Sequence, residues 1–113
     1  MNVPRSDPAS DCGLDVALAI MGGKWKPLIL WHVMEGKIRF GQLKRLIPGI
    51  TQKMLTQQLR ELEKDGLVSR KVFAEVPPRV EYSLTDFGET LKPVLDLLCL
   101  WGKKYEARAA RRP

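Results

Sequence analysis

The sequence predicts a small, mostly α-helical domain with one β-hairpin, and three observations carry that prediction. Two short helical patterns in a row are separated by Pro48-Gly49. A period-two alternation of strand-forming residues follows the second, and a long, largely apolar helical pattern comes last. A chain of 113 residues is sized for one domain with a modest core.

Residues 1–10 include two prolines and mostly polar side chains with little to bury, which predicts a flexible arm ahead of a domain spanning 11–107. A first helix is expected from Asp11 or Cys12. Its Leu14, Val16, Ala17, Leu18, Ile20 and Met21 are apolar on most sides, and Gly22-Gly23 ends it. In the second, Pro27 falls early, where the first helical turn tolerates it. Leu28, Ile29, Trp31, His32 and Val33 follow, and Gly36 is the stop. Phe40, Leu43, Leu46 and Ile47 then recur at helical spacing until Pro48-Gly49 turns the chain.

The stretch "ITQKMLTQQLRELEKDGLV" comes next. Thr51 is the expected N-cap, Ile50 and Leu55 form a hydrophobic staple, Leu55, Leu59 and Leu62 make an i, i+4, i+7 stripe, and Gly66 is the C-terminal cap. Val68, Arg70 and Val72, then Val80, Tyr82 and Leu84, alternate on either side of "EVPPR", as two antiparallel strands would. Thr85 caps a last helix from about Asp86 to Ala107, in which Pro93 makes a kink or a second start. Its Leu91, Leu95, Leu98, Trp101 and Tyr105, among other apolar residues, leave little polar surface. A domain of this size cannot cover such a helix on all sides, so part of it is expected to pack against a second copy.

Helix, tight turn, helix, hairpin is the order of a winged helix-turn-helix, in which the second helix enters the major groove and the hairpin touches the flanking DNA. With Leu55 at the centre of the buried side, Lys53, Gln57, Arg60 and Lys64 fall opposite, and Thr56 lies to one side. Glutamine pairs with adenine at N6 and N7, arginine or lysine with guanine, and threonine with a phosphate or a thymine methyl. The plainer alternative is a solvated face with Arg60–Glu63 and Lys64–Glu61 ion pairs, each contributing only tenths of a kcal/mol, roughly.

The stretches "CGLDVALAIMGGKWKPLIL", "RFGQLKRLIPGITQKMLTQQLRELEKDGLVSR" and "VPPRVEYSLTDFGETL" resemble the HxlR family of bacterial transcription regulators, relatives of the MarR winged-helix proteins. The resemblance runs over about residues 12 to 106. It implies a homodimer joined through the terminal helices, Leu14 included, that binds operator DNA, most simply as a repressor. It also implies that Gln52, Lys53, Thr56, Gln57 and Arg60 face the major groove, and that Arg79 at the hairpin tip reaches the minor groove or phosphates. Arg39, Lys44 and Lys64 would contact the backbone. Some members of that family use a cysteine at the start of the first helix to sense electrophiles or oxidants, and Cys12 occupies that place. A helix N-terminus favours thiolate, whereas Asp11 and Asp15 oppose it, and either cysteine could instead be a packed apolar side chain. If both terminal helices line the subunit interface, Cys12 of one chain could meet Cys99 of the other.

Charge agrees with a polyanionic partner. The formal net charge is +6, and Lys24, Lys26, Lys37, Arg39, Lys44 and Arg45 crowd one stretch against Glu35 alone. A second basic cluster ends the chain, giving a tail over 108–113. No apolar run approaches the ~18–20 residues of a membrane span and no signal peptide is evident, so a cytoplasmic, membrane-free protein is expected. Two cysteines and one histidine give no metal-ligand spacing, and no cofactor is implied. "GGKW" lacks the rest of a phosphate-binding loop and is read as a turn that packs Trp25. His32 has no acidic or thiol neighbour, so no catalytic constellation forms around it. Two further functions stay open: a small-molecule-responsive regulator with an apolar cleft near Trp25, Trp31 and the last helix, and a protein-interaction module. The latter would need aromatic or aliphatic anchors on the exposed helix face, which has none.

Overall fold

A computed structural model describes residues 12–111. The arm expected over 1–10 and the end of the basic tail lie outside the described residues. The elements run α1 (Leu14–Met21), α2 (Trp25–Val33), β1 (Ile38–Arg39), α3 (Phe40–Leu46), α4 (Gln52–Lys64), β2 (Val68–Phe73), β3 (Arg79–Leu84), α5 (Asp86–Glu89) and α6 (Lys92–Ala110). This is the expected winged helix-turn-helix, mostly α with a small antiparallel sheet.

The three helices α2, α3 and α4 each present an apolar side inward. Ile29, Leu30 and Val33 of α2, Leu43 of α3 and Leu55, Leu59 and Leu62 of α4 are essentially inaccessible to solvent, and Leu67, Val68 and Tyr82 close the core from the sheet. Burial of each such leucine contributes ~1.5–3 kcal/mol, so α4 is held by its packing rather than by its polar sequence. Trp25 is half-buried against this core, the expected role of the "GGKW" turn.

Three details differ from the sequence-based expectation, and one, the third, decides between its two alternatives. First, α1 begins at Leu14 with Gly13 as its N-cap, so Cys12 precedes the helix rather than opening it. Second, the hairpin has a third strand. In β1, Ile38 and Arg39 pair with Tyr82 and Glu81 of β3, giving sheet order β1-β3-β2. Two residues carry no readable alternation; they are recruited because the outer edge of β3 would otherwise leave backbone donors and acceptors open.

Third, the last helix is two. Thr85 caps α5, its hydroxyl accepting from Gly88 N at 2.9 Å, and α6 restarts at Lys92 with Pro93 in its first turn, where a missing N–H costs nothing. Gly88 is required where α5 packs on the start of β2, because a Cβ there would overlap the Leu67 carbonyl oxygen. Fourth, the alternation of β2 and β3 is buried only at its base. Val68, opposite Leu84, faces the core, whereas Val72, four pairs further along the same strand and opposite Val80, is exposed.

Candidate nucleic-acid interface

The turn between α3 and α4 is built by Pro48 and by Gly49, whose φ of +89° is a conformation that side chains disfavour. Thr51 then caps α4, its hydroxyl accepting from Met54 N at 3.1 Å, while Ile50 and Leu55 are both buried as the two halves of the staple. At the other end Gly66 takes φ +77° and stops the helix. These local devices set where α4 begins and ends. Its leucine stripe sets which way it faces.

The face that results is exposed at Gln52, Lys53, Gln57, Arg60 and Lys64, with Thr56 half-buried beside them. The ion pairs that would have made it an ordinary solvated face are not formed. Among the described residues neither Arg60 nor Lys64 has a carboxylate within 4.0 Å, and Glu61 turns the other way, to Lys26 Nζ at 2.8 Å. Thr56 is partly committed: its hydroxyl donates to Gln52 O at 2.9 Å, leaving its methyl group and oxygen lone pairs to meet a partner. Arg39 and Lys44 are exposed on the neighbouring β1 and α3, with the Gln42 side chain accepting from Arg39 N at 2.9 Å.

Arg79 requires a correction. It opens β3 opposite Phe73 instead of sitting at the tip, which is made by residues 74–78 with a fully exposed Val76 and a cis Val76-Pro77 bond. Its guanidinium lies 4.0 Å from the Phe73 ring centroid, 3.2 Å from Glu75 and 3.6 Å from Glu81. Two acidic neighbours and an aromatic platform, brought together by the hairpin register, hold it along the wing. Nε is buried with no hydrogen-bond partner, because Glu81 is too distant to accept well.

Between α4 and the sheet runs a groove lined by Gln52, Thr56, Arg60 and Glu63 on one wall and Arg70, Val80 and Tyr82 on the other. Arg70, which in the sequence stands only as one residue of the strand alternation, is a further basic side chain in this groove. Its register opposite Tyr82 turns it toward α4, and that pairing was the available signal.

The apolar face expected on the terminal helices is present but shifted. Leu14 is 61% exposed and Trp101 64%, and Leu98 and Tyr105 are exposed with them. Trp101 stacks on Tyr105 at a centroid distance of 5.8 Å. Leu95, expected at a subunit interface, is instead 3% exposed inside the protomer's own core, and Leu91 is half-buried against it, because α6 docks on α2 along that side. Leu18 of α1 and Val94, Leu97 and Leu100 of α6 are exposed as well. Cys12 is exposed and Cys99 half-buried. Among the described residues no group of three or more His, Cys, Asp or Glu side chains is arranged to hold a metal ion, and no helix is long and apolar enough to cross a membrane.

The HxlR-like helix-turn-helix family matches residues 20–110. The uncharacterised HTH-type transcriptional regulator YdeP of Bacillus subtilis (strain 168) is 52% identical over 103 residues, 91% of this chain and 80% of YdeP. Among solved structures, the redox regulator HypR in its reduced form aligns with a TM-score of 0.83 and 46% identity over 89% of this chain and 100% of that one. HypR in its oxidised form aligns with a TM-score of 0.79 and 50% identity, covering 82% and 96%.

Proposed function

This chain belongs to the HxlR-like helix-turn-helix family of transcriptional regulators, and on that premise we propose that it is a homodimeric repressor that binds operator DNA and occludes a promoter. The observation that carries the reading is the face of α4. Lys53, Gln57 and Arg60 stand exposed, without intramolecular ion pairs among the described residues, on a helix anchored by three buried leucines. In the major groove those residues and Gln52 read base edges, and the Thr56 methyl meets a thymine methyl. Lys64, Arg39 and Lys44 neutralise phosphates, and Arg79 reaches the flanking backbone or minor groove by exchanging Glu75 for phosphate. Residues 11–107 act as the DNA-binding and dimerising unit, with an arm at 1–10 and a basic tail at 108–113 around it.

Dimerisation rests on the exposed Leu98, Trp101 and Tyr105, which share one side of α6, and on the exposed Leu14 of α1, apolar side chains of the kind that seek a partner. Two copies place two recognition helices on one duplex, matching a two-fold operator. Fluorescence anisotropy on a duplex from upstream of the gene tests the reading. Affinity should fall steeply as salt rises, with log Kd linear in log salt, and a salt-independent Kd refutes it.

A response to oxidants is a second reading, favoured by the exposure of Cys12 and by the similarity to HypR, a redox regulator with structures in both reduced and oxidised forms. Two thiols, Cys12 of one subunit and Cys99 of the other, would yield two protons and two electrons to the oxidant and form one disulfide. That requires Cα atoms within ~7 Å across the dimer. Non-reducing gels after mild diamide should show a dimer band that Cys12→Ser abolishes. No such band in the wild type sinks the pairing.

A further inference from the structure

On the DNA-binding reading of α4, we infer that Lys26 acts on DNA binding through Glu61: it masks that carboxylate beside the DNA-facing surface. Lys26 is the one buried charged side chain among the described residues, 8% exposed, although it belongs to the stretch whose positive charge suggests contact with polyanions. Its Nζ lies 2.8 Å from Glu61 Oε1, across 35 positions of sequence. Its charge is therefore spent inside the protein.

Glu61 is where a carboxylate would do most harm. It shares a concave surface with Lys53, Gln57 and Arg60, and its side chain is 43% exposed. Seen down the helix axis it lies within about 40° of Gln57, one turn on. An unpaired anion there would repel the phosphates that Lys53 and Arg60 attract. Lys26, docked from α2 on the flank away from the wing, cancels that charge without occupying the reading face. The other flank differs: Glu63 lies in the groove with Arg70 and has no cation within 4.0 Å among the described residues.

The test is DNA affinity at several salt concentrations, on a labelled mixed-sequence duplex, for wild type, Lys26→Met, Glu61→Gln and the double variant, each with its melting temperature. Methionine keeps the apolar stem of Lys26, and glutamine keeps a hydrogen-bond acceptor for Nζ. Lys26→Met should bind about three- to tenfold more weakly at low salt, with the deficit shrinking as salt rises. Glu61→Gln should bind at least as tightly as wild type. The double variant should return to within about twofold of wild type, because no unmasked anion remains.

Wild-type affinity in Lys26→Met overturns the inference, as does a double variant as weak as Lys26→Met, which would mark a purely structural role. If Lys26→Met does not fold, Glu61→Gln decides: weaker binding than wild type means that the carboxylate serves the complex, and the inference fails. Wild type that does not bind DNA refutes the DNA reading itself, and the inference with it.

Discussion

Arg60 and Leu59 are neighbours in sequence, about 100° apart around α4, one exposed and the other buried, and truncating each separates reading from folding. Arg60 is exposed, with no carboxylate within 4.0 Å among the described residues. Arg60→Ala therefore removes nothing the fold depends on, and its stability should stay within about 0.5 kcal/mol of wild type. If Arg60 reads a base, the loss appears wholly in the complex, at ~1–3 kcal/mol, or about 5- to 150-fold in Kd, and it is larger for the operator than for mixed-sequence DNA. If it only neutralises a phosphate, affinity for all sequences falls together and the salt slope drops by about one. Leu59→Ala is the mirror case. That side chain is fully buried, so truncation should cost ~2–5 kcal/mol of stability and weaken DNA binding only as the folded fraction falls. Anisotropy across a salt series, paired with thermal melts, distinguishes the variants. An Arg60→Ala protein with wild-type Kd and salt slope on operator and mixed DNA alike refutes the assignment of this face to DNA.

Gly88→Ala drives a methyl group into the Leu67 backbone carbonyl and should destabilise by ~1–3 kcal/mol, lowering the melting temperature; an unchanged melt means that the α5–β2 joint relaxes freely. Thr51→Ala removes the cap bond to Met54 N and should cost ~1 kcal/mol, read as a shift of the urea midpoint with no change in slope. Replacing Leu98 and Trp101 together by serine should convert a dimer to monomers in sedimentation velocity and weaken operator binding, since two linked recognition helices bind more tightly than one. A dimer that persists at micromolar concentration places the subunit contact elsewhere.

Much of the interface was readable in the sequence because its determinants are local. Thr51, Ile50, Leu55 and Gly66 act on residues within one turn of themselves, so cap, staple and stop follow from spacing alone, and the leucine stripe then dictates which residues face outward. Arg79 was misplaced because its position depends on the hairpin register, which puts it beside Phe73 and Glu81. Leu95 was misassigned for a related reason. Periodicity shows that α6 is apolar nearly all round, but not which side meets α2 and which is left for a partner.

What the sequence alone determined is the order of elements, the ends of the recognition helix and its outward residues, since these rest on hydrogen bonds and side-chain directions spanning three or four positions. The tertiary structure decided which charges are free. Lys26 reads as one more basic residue, yet the docking of α2 on α4 sets it against Glu61 and so takes that carboxylate from Lys64. An ion pair across 35 positions depends on how every intervening element packs, and no local pattern encodes that sum.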